Sequence, residues 1–468
     1  MNTKGGIVFA APDSPTPALV PGSFSGVRVL ILGLGRFGGG VAVTRWTAKQ
    51  GAQVTVADQS APESLAESVA TLADCDIAYR FGAHRAEDLD GVELVVVNPA
   101  VNKAKSEFFS EILRRRVPWT TELNLFCERC PALVVGVTGT YGKSTTCAMI
   151  AHVLDAGREQ GEGGFTRIRL GGNIGRSLLA DLNMMRATDV VVLEMSNAQL
   201  EDLPRISFAP QVAVITNLSP HHLDRYDSYA EYLRAKLNII GAPDVTRTIV
   251  LGALDQEAEH LLQSSTPDWE SRLRRVTPLC PLAALMIPGD HNQTNAACAA
   301  AVCRSLQLPE SVIRAALQTF PGLPHRIEWI GQIDGVDYYN DSKSTSPSAT
   351  IVALKALARP VVAIVGGQRK DVPLDACAGA LGASCRAVIC VGESGPNFAA
   401  ALRHLTAATG CVLEEAQSLE EAVAFARKHA RSGDAILFSP GAPSFDAYPN
   451  FEFRGRHFAQ VVKQLSSP

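Results

Sequence analysis

No apolar run in this sequence approaches the roughly 18–20 uncharged residues of a membrane-spanning helix. Neither sign of charge is in surplus: 43 Lys and Arg stand against 47 Asp and Glu, a net −4. The first absence argues against a membrane partner. The second leaves no general electrostatic claim on nucleic acid, which usually needs a basic face, though local basic pockets stay open. A second Cys pair is also missing. Of 11 cysteines, only Cys127-x-x-Cys130 is closely spaced, so no four-ligand zinc site is spelled out. The odd, scattered set reads as reduced thiols and a cytoplasmic location. The apolar patch Ile7–Ala11 is too short for a secretory core, and Pro12, Pro15 and Pro17 follow it. Residues 1–24 are expected to be a flexible tail. No short-period repeat is present.

Core-forming material is abundant. The 468 residues are 46% hydrophobic and 19% charged, which predicts about three domains at roughly 150 residues each. Short β-branched runs alternate with helical stretches. Predicted strands are Val27–Leu32, Val54–Ala57, Leu94–Val97, Leu133–Val137, Val190–Leu193, Val212–Ile215, Val361–Val365, Ala387–Val391 and Ala435–Phe438. Several are wholly apolar, as strands buried on both faces of a parallel sheet must be. Helices are predicted over Ser64–Leu72, Ser144–Ala156, Thr294–Leu306 and Ser418–Ala430. This alternation means an α/β fold. The joins at Cys130-Pro131 and Pro321-Gly322-Leu323-Pro324 divide it into a Rossmann-like nucleotide-binding domain (25–130), a central P-loop domain (131–322) and a C-terminal Rossmann-like domain (323–468).

In the first domain the strand of VRVLILGLGRFG (Val27–Gly38) runs into Gly33-x-Gly35-x-x-Gly38. A Cβ there would block a tight turn and the approach of backbone N–H groups to a diphosphate. Asp58, 20 residues after Gly38, ends the next strand, where a carboxylate can meet a ribose or base edge. These residues suit a nucleotide without choosing between NAD and UDP.

In the second domain LVVGVTGTYGKSTT (Leu133–Thr146) delivers Gly139, Thr140, Tyr141, Gly142, Lys143, Ser144 and Thr145 to a helix N-terminus. Backbone N–H groups and the helix dipole make an anion nest. Lys143 can neutralise β- and γ-phosphates, and the Ser144 hydroxyl can hold Mg²⁺. Val137 occupies the place of the first P-loop glycine, so this is the compact form. Glu194 ends the apolar run VVVLE, where an ionised carboxylate needs a partner such as a metal. VAVITNLSPHHLDRY (Val212–Tyr226) ends in His221, His222, Asp224 and Arg225, suited to metal and phosphate chemistry at a strand's C-terminal edge. By periodicity alone, Lys236 is a surface lysine on an amphipathic helix, Tyr229–Ile240.

GTYGKST, GGNIG (Gly171–Gly175), EMSNAQLE (Glu194–Glu201), TNLSPHHLDRY and the AKL around Lys236 together resemble the Mur ligases, ATP-dependent amide-forming enzymes of peptidoglycan synthesis. GLPHRIE (Gly322–Glu328), NDSKST (Asn340–Thr345), SPGAPSFD (Ser439–Asp446) and NFEFRG (Asn450–Gly455) are similar to the D-glutamate-adding branch. The resemblance covers about residues 27–465. It implies a monomeric ligase using ATP and Mg²⁺, with UDP-N-acetylmuramoyl-L-alanine and D-glutamate as substrates and an acyl-phosphate intermediate. It also implies site residues. Lys143 is the phosphate lysine. Ser144 and Glu194 hold one Mg²⁺; His222 and a carbamylated Lys236 serve a second. Gly33, Gly35, Gly38, Asp58, Asn173, Ser196 and Gln199 face the UDP-sugar. Asn292, Arg326, Asp341 and Lys343 contact ATP, and Thr345, Lys370, Ser444 and Phe451 contact the amino acid. Four departures from the family pattern stand out: Tyr141 for the usual Asn, Asn197-Ala198 for Ser-Phe, His221 for an acid, and Arg36-Phe37 for a small hydroxyl residue. The same chemistry with L-glutamate, or a P-loop kinase or NTPase carrying a separate dinucleotide-binding domain, remain alternatives.

Overall fold

The computed structural model describes residues 22–35, 38–206, 208–221, 225–241, 246–265, 267–276, 285–357 and 359–465. The expected tail 1–24 therefore lies almost wholly outside the described residues, as do Arg36-Phe37 and His222.

Three sheets form in chain order. The first contains β1 (Arg28–Leu32), β2 (Gln53–Asp58), β3 (Ile77–Phe81), β4 (Leu94–Val97) and β5 (Trp119–Thr120). All are parallel in the order β3-β2-β1-β4-β5. The order reverses between β1 and β4, and the crevice at such a switch point is where open α/β sheets bind ligands. The second sheet contains β6 (Leu133–Thr138), β7 (Ile168–Gly172), β8 (Val190–Glu194), β9 (Val212–Leu218), β10 (Thr248–Leu254) and β11 (Leu273–Arg275). It is also parallel, in the order β11-β10-β9-β6-β8-β7. Every residue of β8 is buried, which is why its sequence is apolar until the final Glu194.

The third sheet contains β12 (Glu328–Ile333), β13 (Val336–Asn340), β14 (Val361–Val365), β15 (Cys385–Val391), β16 (Val412–Ala416) and β17 (Ala435–Phe438). Its order is β12-β13-β17-β14-β15-β16, parallel except for the antiparallel β12–β13 hairpin at one edge. Two apolar clusters cover its faces, one around Val361, Ala363 and Val365 and the other around Val362, Ile364 and Phe458. The chain falls into two compact units. One holds the first two sheets with Thr294–Ala316; the other holds the third sheet with residues 285–293. The chain crosses between them more than once: one crossing lies within the helix Asp290–Ser305 and another follows Ala316.

All nine predicted strands are present. The predicted helix Ser64–Leu72 is not continuous: a 3₁₀ turn, Pro62–Leu65, gives way to a short helix, Ala66–Ala70. Leu65, at ψ 1°, interrupts the helical path between them. No disulfide joins the ten described cysteines. Among the described residues, no helix is long and apolar enough to cross a membrane.

Candidate active site

The first sheet builds a glycine loop at its switch point. Gly33, Gly35 and Gly38 all have positive φ, a conformation that costs a residue with a Cβ about 1–2 kcal/mol. Asp58 braces this loop. One carboxylate oxygen accepts N–H bonds from Leu34 (2.9 Å) and Gly35 (3.1 Å), the other from Ser60 (2.8 Å). Burial pushes the Asp58 carboxyl up, but these three N–H donors and the Ser60 hydroxyl together outweigh it and hold the group below its ordinary range. The sequence motif omitted two further parts. A Cβ on Gly40 would lie 2.1 Å from the Leu34 carbonyl, whereas one on Gly38 would meet nothing within 4 Å among the described residues. Close helix–loop approach thus depends on Gly40, the last of the run Gly38-Gly39-Gly40. Asn98, just after β4, donates to the Gly33 carbonyl (3.1 Å) from across the crevice.

The second sheet delivers β6 into the P-loop and the helix Lys143–Glu159. Gly142 takes φ 77°, and a Cβ there would sit 2.3 Å from Asn295 Oδ1. Lys143 Nζ donates to the loop carbonyls of Gly139 (3.0 Å) and Thr140 (2.9 Å). Thr140 Oγ1 lies 2.9 Å from the Tyr232 hydroxyl; Thr145 is buried. Tyr141 is 61% exposed, although its backbone is fixed. Its N–H donates to Asn217 Oδ1 (2.9 Å), and its carbonyl accepts from Thr216 Oγ1 (2.6 Å) and Asn217 Nδ2 (2.8 Å). Its ring meets His221 edge-on at 5.6 Å, so two of the departures from the family pattern touch.

Ser144 Oγ donates to Glu194 Oε2 at 2.6 Å, and Asn173 Nδ2 donates to Glu194 Oε1 at 2.8 Å. Glu194 is 2% exposed and both of these donors are neutral. A buried hard-oxygen carboxylate beside a hydroxyl fits a divalent cation such as Mg²⁺. Asn173, expected on the sugar side, thus also holds Glu194. Ser196 and Gln199 form a capping box on the short helix Asn197–Leu200: Ser196 N–H donates to Gln199 Oε1 (2.9 Å), and Gln199 N–H to Ser196 Oγ (3.3 Å). The substituted Asn197 donates to the Tyr226 hydroxyl at 2.6 Å.

Lys236 is no surface lysine: it is 1% exposed. Its amine donates to Thr138 Oγ1 at 3.2 Å and lies 5.2 Å from the Tyr232 ring centroid. Burial, then the neighbouring Lys143, push its pKa down to about 7, with Glu194 pulling the other way. Glu231 and Arg234 of the same helix are exposed, as an amphipathic helix requires, but Lys236 falls on its buried side with Tyr232, Leu233 and Leu237. His222, the remaining expected catalytic residue, lies outside the described residues.

The second unit gathers most of its expected residues around the loop after β13. Asp341 is 2% exposed. It accepts from the hydroxyls of Ser344 (2.6 Å) and Ser439 (2.7 Å) and from Ile327 N–H (3.2 Å). Burial drives its pKa up to about 6 against these bonds and the nearby Arg326. Lys343 Nζ lies 5.7 Å from the Phe451 ring centroid. Thr345 and Lys370 line one cavity of about 90 Å³ with Gln368, Ser394 and Pro443. Buried Ser444 follows Pro443 in the chain. Asn292 donates to the Pro288 carbonyl at 2.7 Å. Arg454, which sequence reasoning missed, is a buried clamp: it donates to Ser342 Oγ (3.0 Å), the Ser342 carbonyl (2.9 Å) and the Pro443 carbonyl (3.0 Å). Its signal was an arginine inside the NFEFRG motif.

Three family models match in order: the Mur ligase MurD-like N-terminal domain over residues 27–115, the Mur ligase middle domain over 137–274, and the Mur ligase glutamate ligase domain over 325–441. The UDP-N-acetylmuramoylalanine–D-glutamate ligase of Symbiobacterium thermophilum is 35% identical over 94% of this chain and 98% of its own length. The protein of the same name from Roseiflexus sp. is 33% identical over 94% and 99%. The chain belongs to the Mur ligase family. Solved Mur ligase structures share the fold: MurC of Thermotoga maritima aligns over 94% of this chain and 100% of its own, with TM-score 0.57 and 21% identity. E. coli FolC, solved with ADP, aligns over 74% and 93%, with TM-score 0.51 and 21% identity. The P-loop, Ser144, Glu194 and Lys236 lie within the Mur ligase middle-domain match, and Asp341, Lys343, Thr345 and Lys370 within the glutamate ligase domain match.

Proposed function

We propose that this Mur ligase spends ATP to join D-glutamate to UDP-N-acetylmuramoyl-L-alanine. The observation that carries the reading is the presence, in one compact unit, of two nucleotide-type loops: the Asp58-braced glycine loop and the P-loop bonded through Ser144 to Glu194. A kinase needs only one such loop. The names borne by the relatives supply the substrate pair. The division into domains at 130/131 and 322/323 belongs to the same reading.

The chemistry explains why ATP is needed. A carboxylate is a poor electrophile and oxide a poor leaving group. Transfer of the γ-phosphoryl group to the alanyl carboxylate gives an acyl phosphate and ADP; the glutamate amine then attacks the carbonyl, loses a proton and displaces phosphate. Lys143 and the P-loop N–H groups neutralise the phosphates and hold them in line. Asn292, Arg326, Asp341 and Lys343 contact the nucleotide. Gly33, Gly35, Gly38 and Asp58 hold UDP; Asn173, Ser196 and Gln199 face the sugar. Thr345, Lys370, Ser444 and Phe451 receive glutamate, Lys370 pairing with a carboxylate and the Phe451 ring walling the methylenes. Ser144 and Glu194 would hold one Mg²⁺, and His222 with Lys236 a second; when bound, the ion supplies positive charge to phosphoryl oxygens. Lys236 would serve as its carbamate. The amine sits buried beside Thr138, and addition to CO₂ with loss of a proton turns it into a carboxylate that a cation attracts.

Purified protein should release phosphate from ATP only when both UDP-N-acetylmuramoyl-L-alanine and D-glutamate are present, with one amide formed per phosphate. Release without glutamate, or no amide, counts against the reading. Equal turnover of L-glutamate would move it to the other stereoisomer.

A further inference from the structure

Between the glycine loop of the first sheet and the Glu194 edge of the second lies a cluster of four charges that the reading above does not use. Lys103, beyond β4, lies 2.9 Å from Asp202 and 3.5 Å from Glu201. Arg225 lies 3.2 Å from the same Glu201 oxygen and also donates to the Pro99 carbonyl (3.3 Å). The Tyr226 hydroxyl donates to the other Glu201 oxygen and accepts from Asn197. Asn124 Nδ2 donates to the Asp202 carbonyl at 2.8 Å. None of the four charged side chains is more than a quarter exposed.

The path is continuous. Asn98, next to Pro99, holds Gly33; Asn197 follows Ser196 and lies three residues past Glu194. Two anions and two cations balance, yet burying them brings little net stability, because desolvation offsets their attraction. What such a cluster fixes is geometry.

We propose that Glu201, together with Lys103 and Arg225, is a positioning residue that sets the register between the nucleoside-diphosphate crevice and the phosphoryl-transfer edge at Ser144 and Glu194. The proposal rests on the ligase reading. Each loop binds its own nucleotide without the cluster; only their alignment for reaction depends on it.

The test uses the full chain, with Glu201→Gln, Lys103→Met, their double variant and Lys103→Arg. Binding of UDP and of ADP is titrated separately, beside melting temperature and steady-state kinetics. The expected result is UDP and ADP affinities within twofold of the parent, with kcat at least fivefold lower for Glu201→Gln. Lys103→Met falls similarly, the double variant falls no further than the worse single, and Lys103→Arg restores turnover. A folded Glu201→Gln variant with less than a fivefold loss overturns the proposal. So does a loss that follows weakened UDP or ADP binding and a lowered melting temperature, for that is packing alone. Should Glu201→Gln not fold, Lys103→Met decides by the same criteria. A parent that makes no amide overturns the ligase reading and this proposal with it; an active parent with an equally fast variant overturns this proposal only.

Discussion

Asp341 shows what a buried group costs and what it is kept for. Its ordinary pKa of 3.8 rises to about 6, so the folded chain holds this proton more tightly than the unfolded one. The contribution is therefore favourable below pH 4 and is lost as pH rises through 6, a difference of about 3 kcal/mol at about 1.4 kcal/mol per unit. Asp341→Asn removes the charge and keeps the shape. Urea unfolding of the third-sheet unit should find the variant about 2–3 kcal/mol more stable at pH 7.5 and little changed at pH 4. On the proposed nucleotide contact at Asp341, ligase activity should fall at least tenfold. Lys236 makes the same point from the other sign. Lys236→Ala should abolish turnover, and a short-chain carboxylic acid added to the assay should restore part of it if a carbamate is used. Unchanged activity would remove Lys236 from the site. Its position was legible in the AKL motif, but its burial was not. Helical periodicity assigns a lysine to the polar face, whereas Lys236 sits on the buried side beside Tyr232, its amine donating to Thr138.

At the scale of elements, the strands that read clearly were those buried on both faces, such as β8 and β14, because nothing polar interrupts them. The β12–β13 hairpin was overlooked although Asp334-Gly335 stood in its turn. Both residues have positive φ, as a two-residue hairpin turn requires, but half-exposed β12 carries no apolar run. The first glycine loop was read correctly as a turn and incompletely as a packing motif. Gly40 and Gly38 separate the two roles. Gly40→Ala places a Cβ 2.1 Å from a backbone oxygen, and relieving that overlap should cost about 3 kcal/mol or more and weaken UDP binding. Gly38→Ala meets no neighbour among the described residues and should cost only the left-handed penalty, about 1 kcal/mol. Melting temperatures with UDP titrations check both, and equal effects would mean that the loop moves freely away from its helix.

For the whole molecule, the alternation of strands and helices announced three parallel-type sheets, and the chain distributes them over two compact units. One crossing lies inside the helix Asp290–Ser305, where no Pro or Gly run marks a boundary; another follows Ala316, shortly before Pro321-Gly322-Leu323-Pro324. That partition has a thermal consequence. The glycine loop and the P-loop belong to one unit; the third sheet has its own two apolar clusters in the other. A ligand that binds only the folded form stabilises the unit that holds it, by about 2.7 kcal/mol at a hundred times its Kd. UDP is the suitable probe, because its expected contacts all lie in the first unit, whereas the residues proposed for ATP are divided between the two. Scanning calorimetry should resolve two transitions, with saturating UDP raising one by several degrees and the other by less than one degree. An ATP analogue with Mg²⁺ should raise both. If UDP instead carries a single transition upward intact, the units unfold as one body, and the stabilising effect of Asp341→Asn should then appear in the unfolding of the entire chain.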